Sequence, residues 1–330
     1  MLKKYASIDI GTNTLRLLIA EVDNKKLKPI FLKRMITRLG GGYREEVGIT
    51  KEAKERTIKA LEVFSEKIRE YDVKEVKAVA TSVVRRAKNK QDFLKDVLER
   101  TGIEVKAILG DEEARLSLLG VLSVIKAGTD LKSVPKCLVV DIGGGSTEFI
   151  AADGGRIAGA WSLEMGVVHL TENYLKTDPP TKRELNAMED EIERIIYDLR
   201  FTIYDLGFLN PKSEIRNPES EVFIGTAGTI TTLAAIDQGL EKYEPEKINN
   251  FMLTYNAVQR IYQHLASLPL KQREEILSLE KGREDIIIPG AAILLKAMEC
   301  FGFNKMAVSD AGLLEGILLD SCKLQVASCR

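Results

Sequence analysis

The sequence predicts an α/β protein of two related lobes, each a mixed or parallel sheet with helices packed on it. Three observations point there. A strand–turn–strand phrase occurs twice, strand-type and helix-type segments alternate along the chain, and 330 residues with 45% hydrophobic content suffice for two cores. The phrase reads Asp9-Ile10-Gly11-Thr12-Asn13-Thr14 near the start and Asp141-Ile142-Gly143-Gly144-Gly145-Ser146-Thr147 in the middle. Each copy follows an apolar run (Tyr5 to Ile8; Cys137 to Val140) and precedes another (Leu15 to Ala20; Glu148 to Ala152), as a hairpin requires. Both copies share Asp-Ile-Gly and a hydroxyl five residues after the aspartate, Thr14 or Ser146. The two aspartates lie 132 positions apart, too far for a solenoid repeat and right for two lobes of ordinary domain size.

The remaining elements follow in order. Leu27 to Thr37 reads as a strand and Gly40-Gly41-Gly42 as a flexible loop. Thr50 caps the next helix, on which Ala53, Thr57, Leu61, Phe64 and Ile68 recur on one face. Glu75 to Thr81 is a strand, Gln91 to Arg100 a helix, Ile103 to Leu109 a strand and Asp111 to Lys126 a helix. The polar segment Ala127 to Pro135 is the expected crossing between lobes. In the second lobe Asp178-Pro179-Pro180-Thr181 starts a helix capped by Thr181 and running to about Asp205. Pro211 to Ser220 is a polar loop. Glu221 to Ile224 is a strand that leads into Gly225-Thr226-Ala227-Gly228-Thr229, a third glycine–hydroxyl turn, here opening a helix. Glu284 to Cys300 reads as a helix, Lys305 to Ser309 as a strand and Gly312 to Leu319 as an apolar helix. The expected division is 1–127 for the first lobe and 128–304 for the second, with the segment from about 305 to 330 packing back on the first.

Composition narrows the function. With 48 Lys and Arg against 49 Asp and Glu there is no general basic field, so nucleic acid is not an expected partner and any polyanion needs a local patch. No apolar run approaches the roughly 18 residues that cross a bilayer, so no membrane partner is expected either. Cys137, Cys300, Cys322 and Cys329 lack metal-type C-x-x-C spacing, and the start of the chain enters a strand without a signal-like run, which fits a reduced, cytoplasmic enzyme. His169 and His264, the only histidines, are expected in structural or surface roles. The apolar last helix can pack inside the fold or against a second copy, so a homodimer stays open.

Glycine permits close approach of backbone to ligand, and successive N–H groups with hydroxyls form a concave anion site. The candidate phosphate contacts are therefore Gly11, Thr12, Asn13 and Thr14 in the first loop and Gly143, Gly144, Gly145, Ser146 and Thr147 in the second. Gly228 and Thr229 join them at the helix N-terminus of the third turn, where free N–H groups and the dipole favour an anion.

The phrases Asp9-Ile10-Gly11-Thr12-Asn13-Thr14-Leu15-Arg16, Glu112-Glu113-Ala114-Arg115, Asp141-Ile142-Gly143-Gly144-Gly145-Ser146-Thr147-Glu148 and Gly225-Thr226-Ala227-Gly228-Thr229 resemble the exopolyphosphatase and guanosine pentaphosphate phosphohydrolase (Ppx/GppA) family over essentially the whole chain. The resemblance implies duplicated ribonuclease H-like lobes of the actin, sugar kinase and Hsp70 superfamily with a cleft between them. Larger members carry an added histidine-rich C-terminal domain, and this chain reads as the short form. The family's general base matches Glu113, and its magnesium-associated acids match Asp141 and Glu148, with Asp9 their counterpart in the first loop. Arg85 matches a phosphate-holding position. Arg16, after the first loop, and Arg283, before the late helix, are further candidate phosphate contacts, since guanidinium suits phosphate by its fixed fork of donors. The implied activity is magnesium-assisted removal of terminal orthophosphate from inorganic polyphosphate, from guanosine pentaphosphate of the stringent response, or from both, with guanosine tetraphosphate as a further ligand. An ATP-dependent kinase of the same superfamily and a non-catalytic alarmone sensor are the alternatives; release of inorganic phosphate without an acceptor separates them.

Overall fold

The computed structural model describes residues 3–23, 26–125, 136–207, 221–276 and 278–322. The chain divides into two compact units, residues 3–123 with 311–322 and residues 124–310. In the first, β1 (Lys4–Ile10), β2 (Thr14–Asp23) and β3 (Lys26–Ile36) form an antiparallel meander. Helix α1 (Lys51–Glu70) crosses to β4 (Glu75–Ala80), parallel to β1; α2 (Ser82–Arg86) and α3 (Lys90–Thr101) lead to β5 (Val105–Ala107), parallel to β4, and α4 (Gly110–Leu122) follows. The strand order is β3-β2-β1-β4-β5.

The second unit repeats this plan. Strands β6 (Lys136–Ile142), β7 (Thr147–Asp153) and β8 (Arg156–Leu163) form the meander, followed by α5 (Val167–Tyr174) and α6 (Lys182–Asp205). Strand β9 (Glu221–Thr226) runs parallel to β6 and enters α7 (Ala227–Asp237). Helix α8 (Pro245–Ile248), β10 (Met252–Thr254), α9 (Tyr255–Ser267), α10 (Leu270–Arg273) and α11 (Ile287–Phe301) precede β11 (Lys305–Val308), parallel to β9. The order β8-β7-β6-β9-β11 matches the first sheet strand for strand, and β10 is an addition, antiparallel to β11. The expected fold is therefore observed: two ribonuclease H-like sheets related by duplication. The segment from about 305 is split. Lys305–Val308 completes the second unit's sheet, with Met306 and Val308 fully buried, and α12 (Leu313–Ser321) belongs to the first unit.

Burial on both sides explains why β1, β2, β6 and β7 read as near-continuous apolar runs. Ala6, Ile8, Ile10, Leu15, Leu17 and Ile19 face α1 and α3, meeting Leu61, Phe64, Phe93 and Val97. Leu18 and Ala20 face the other way, onto Leu314 and Leu318 of α12. Helices α4 and α12 touch backbone to backbone: a β-carbon at Gly120 would stand 1.8 Å from the Gly312 carbonyl oxygen, and one at Gly316 1.8 Å from that of Leu116. The second core gathers Phe149, Phe223, Phe301 and the inward faces of α6, α7, α9 and α11.

Local signals held in most places. Thr50 accepts from Ala53 N, and Thr181 with Glu184 completes a reciprocal capping box. Three readings change. Strand β5 is shorter than expected, because Ile103 N donates to the Thr101 hydroxyl instead of a ladder. Helix α11 begins at Ile287, because both Glu284 carboxylate oxygens accept from Gly282 N and fold the preceding residues into a turn. Gly40 is packed rather than loose, as described below. The expected crossing at 127–135, the loop at 211–220 and Cys329 lie outside the described residues.

Candidate functional site

The first loop joins β1 to β2, closed by Gly11 N donating to Thr14 O at 3.1 Å; the second joins β6 to β7 by Gly143 N to Ser146 O at 3.0 Å. A β-carbon at either glycine would meet that carbonyl at 2.9 Å, so both positions require glycine for the same reason. Each loop has its carbonyls tied from behind. Asn13 O accepts from Thr37 N (3.0 Å) and Arg38 N (2.9 Å), and Thr12 O from Gly40 N (2.8 Å). In the second unit Gly143 O accepts from Val167 N (3.1 Å) and Gly144 O from Val168 N (2.9 Å). With its carbonyls held this way, a loop of this kind leaves N–H groups for an incoming anion, while the Ser146 hydroxyl of the second loop is committed to Glu148. Gly40 and Gly166 make these clasps possible: a β-carbon would come within 2.3 Å of Thr12 Cγ2 or of the Gly144 carbonyl, respectively.

Strand register arranges the charged side chains. Asp141 stands directly opposite Glu148, Glu148 opposite Ser162 of β8, and Asp141 opposite Thr226 of β9. These four occupy one row on one sheet face, with β-carbons of neighbours about 4.5–5.5 Å apart. Glu148 is buried, and its Oε1 accepts from both Ser146 Oγ and Ser162 Oγ at 2.7 Å. Ser162 was not legible in the sequence, since β8 carries no motif. In the first unit Asp9 stands opposite Arg16, whose Nε and Nη2 both donate to Asp9 Oδ2 at 2.9 and 2.5 Å. Asp9 Oδ1 and Thr12 Oγ1 are buried with no hydrogen-bond partner. Buried polar atoms are normally satisfied, so these two mark unmet capacity for a ligand at this loop.

The two acids at the start of α4 part company. Glu112 is held outward by Lys106 (2.7 and 2.9 Å), whereas Glu113, 8% exposed, turns inward and accepts from Arg85 Nη1 at 2.7 Å. Arg85, on α2, also donates to Ile108 O at 3.2 Å. Arg115, the last residue of that motif, pairs with Asp320 of α12 at the surface.

At the third turn Ala227 takes a left-handed φ of 73°, a strained conformation for a residue with a β-carbon. The Arg283 guanidinium lies over Gly228, where a β-carbon would fall 2.2–2.5 Å from it, and Arg283 Nε donates to Glu280 Oε2 at 2.7 Å. Two expected contacts point elsewhere. Thr229 is 3% exposed and packs against Gly290 of α11, and the Thr147 hydroxyl donates to Met165 O, on the face opposite Glu148. His169 and His264 are exposed. Burial pushes the Cys137 thiol up to about 12, and Cys300 to about 11, as expected of inert core thiols rather than nucleophiles. Among the described residues no cluster of three or more His, Cys, Asp or Glu could hold a metal, and no helix is long and apolar enough to cross a membrane.

Residues 18–325 match the Ppx/GppA phosphatase family. Exopolyphosphatase 2 of Mycobacterium tuberculosis is 31% identical over 96% of this chain and 98% of its own length. A bifunctional 3-dehydroquinate synthase/phosphatase of Fusobacterium nucleatum is 34% identical over 96% of this chain, which spans only 46% of that protein. Among solved structures, the Aquifex aeolicus Ppx/GppA family member superposes with a TM-score of 0.78 at 33% identity, covering 98% of both chains. An exopolyphosphatase from Cytophaga hutchinsonii gives 0.85 at 26% identity, covering 97% of this chain and 98% of that one. With the family model matched over residues 18–325 and relatives above 30% identity over 96% of the chain, the protein belongs to the Ppx/GppA phosphatase family.

Proposed function

We propose that the chain is a phosphohydrolase that releases terminal orthophosphate from inorganic polyphosphate, from guanosine pentaphosphate, or from both. The observation that carries this reading is the inward-turned Glu113 held by Arg85. Hydrolysis of a phosphoanhydride needs a carboxylate to orient the attacking water and take its proton, and cationic donors for the charge on the phosphoryl oxygens. Glu113 supplies the first. In the first unit Arg85, Arg16 and the N–H groups of the Gly11 loop would supply the second; Arg283 and the N–H groups of the Gly143 loop are the donors of the second unit. The relative named exopolyphosphatase, similar over nearly its full length, supports polyphosphate as a substrate.

Magnesium fits the oxygen donors of this chain. It takes one or two carboxylates and fills its remaining positions with water and phosphate, so a large protein cluster is not needed. Asp141 and Glu148 stand opposite each other across β6 and β7, close enough to share one ion, and Asp9 Oδ1 is buried without a hydrogen-bond partner. Within the second unit Asp141 and Glu148 would hold the ion. When bound, magnesium would supply positive charge against the phosphate oxygens.

The experiment is a measurement of orthophosphate released from polyphosphate and from guanosine pentaphosphate, each alone in magnesium buffer. Release without a phosphate acceptor supports the reading. No release would turn it toward a sensor, and transfer of the phosphoryl group to an added alcohol in place of release would turn it toward a kinase. The ratio of kcat/KM for the two substrates identifies the preferred one.

A further inference from the structure

Glu148 is 3% exposed, and a carboxylate buried to that extent needs donors. It receives two on a single oxygen: Ser146 Oγ and Ser162 Oγ each donate to Oε1 at 2.7 Å. The two serines come from different parts of the second unit. Ser146 lies in the turn between β6 and β7, the place expected for a phosphate, and its one proton is open to either use. Ser162 stands clear of that turn, on β8, the last strand of the sheet among the described residues. The residue is exposed there, yet strand register sets it directly opposite Glu148 and its hydroxyl reaches the buried acid.

The first unit treats the acid of its own row differently. Asp9 Oδ2 also receives two donors from a cross-strand neighbour, but both belong to the Arg16 guanidinium. A guanidinium orients a carboxylate and offsets its charge together. A hydroxyl orients the carboxylate and leaves its charge for a cation, which is the arrangement found around carboxylates that ligate metals. Asp141, directly opposite Glu148 on β6, completes the row on the other side.

We propose that Ser162 is a positioning residue: from outside the phosphate turn it holds the Glu148 carboxylate in the row beside Asp141, so that the pair is set for a divalent cation before substrate arrives. The proposal rests on the magnesium assignment within the phosphohydrolase reading. Ser162 acts through Glu148 and touches neither ion nor substrate.

The test is calorimetric titration of magnesium into wild type, Ser162→Ala and Ser162→Thr without substrate. Ser162→Ala should raise the magnesium Kd about tenfold, the low end of the range for a partner of a ligating carboxylate, because solvent can partly replace an exposed hydroxyl. Threonine keeps the hydroxyl on a residue suited to a strand and should restore most of the affinity. The rise in thermal midpoint on adding magnesium should be smaller in the alanine variant than in wild type. An unchanged Kd overturns the proposal, as does an equal loss of affinity in both variants. A midpoint lowered by the same amount with and without magnesium assigns Ser162 to stability alone and overturns it too. Wild-type protein that binds no magnesium fails the metal assignment, and this proposal with it. Wild-type protein that binds magnesium but releases no orthophosphate fails the hydrolase reading alone.

Discussion

Gly120→Ala tests whether the base is positioned by the docking of α12. A β-carbon at Gly120 would stand 1.8 Å from Gly312 O, 2.7 Å from its carbonyl carbon and 3.0 Å from its α-carbon. A comfortable carbon–oxygen approach is about 3.3 Å, so α4 and α12 must part by roughly 1.5 Å. The obstacle is backbone and cannot rotate away. Parting opens the cluster of Val79, Ile108, Leu116, Leu313 and Ile317. Overpacking of this kind costs about 1–3 kcal/mol, and the upper end applies where the backbone itself is struck; the better helix propensity of alanine returns about 1. The expected net loss is about 2 kcal/mol of the first unit's stability. Because Glu113 rides on α4, a displacement near 1 Å should also lower turnover about 100-fold. Hydrogen exchange resolves the loss to α4, α12 and β1, while fluorescence of Trp161, the only tryptophan and a residue of the second unit, serves as an internal control. A variant at least as stable as wild type, as helix propensity alone predicts, with full turnover, would refute the reasoning. Gly316→Ala, aimed at Leu116 O, should behave alike.

Asp141→Asn should raise the magnesium concentration for half-maximal activity by roughly tenfold and lower the rate, and an unchanged magnesium titration would remove Asp141 from the metal. Arg85→Ala should raise KM and flatten its salt dependence, with lysine rescuing only in part because an ammonium lacks the fork; an unaltered salt response would contradict the assignment. Hydrogen bonds from Thr177 and Thr181 lower the Glu184 carboxyl to about 2, so the stabilisation it gives α6 is fully present above the usual carboxylate value near 4.5 and is lost as pH falls from there toward about 2. Glu184→Ala should therefore lower the thermal midpoint at pH 7 and make it less sensitive to acid across that window; equal midpoint losses at pH 7 and pH 2 would show that the capping carboxylate is not responsible.

Much of this was legible in sequence because the informative features are local. The Asp-Ile-Gly turns need glycine at Gly11 and Gly143 to clear a carbonyl three residues on, and that requirement shows in a strand–turn–strand pattern. Thr50 and Thr181 announced their helices by the same local logic. What the sequence did not disclose depends on pairing over distance. Nothing within α4 tells Glu113 from Glu112; the difference is made by Lys106 on β5 and Arg85 on α2. Ser162 reaches Glu148 only through strand register. Gly40 reads as looseness in isolation and is in fact a close packing point against Thr12. Thr229 matches a turn motif but spends its side chain on α11.

The central claim is that Glu113 activates the water that attacks the terminal phosphate, and Glu113→Gln tests it most directly. Glutamine keeps the shape and a hydrogen-bonding oxygen but cannot take a proton. Calorimetric binding of polyphosphate should persist in the variant while orthophosphate release falls by about 100- to 10,000-fold, the range for loss of a general base. Release near the wild-type rate, with binding intact, would contradict the account.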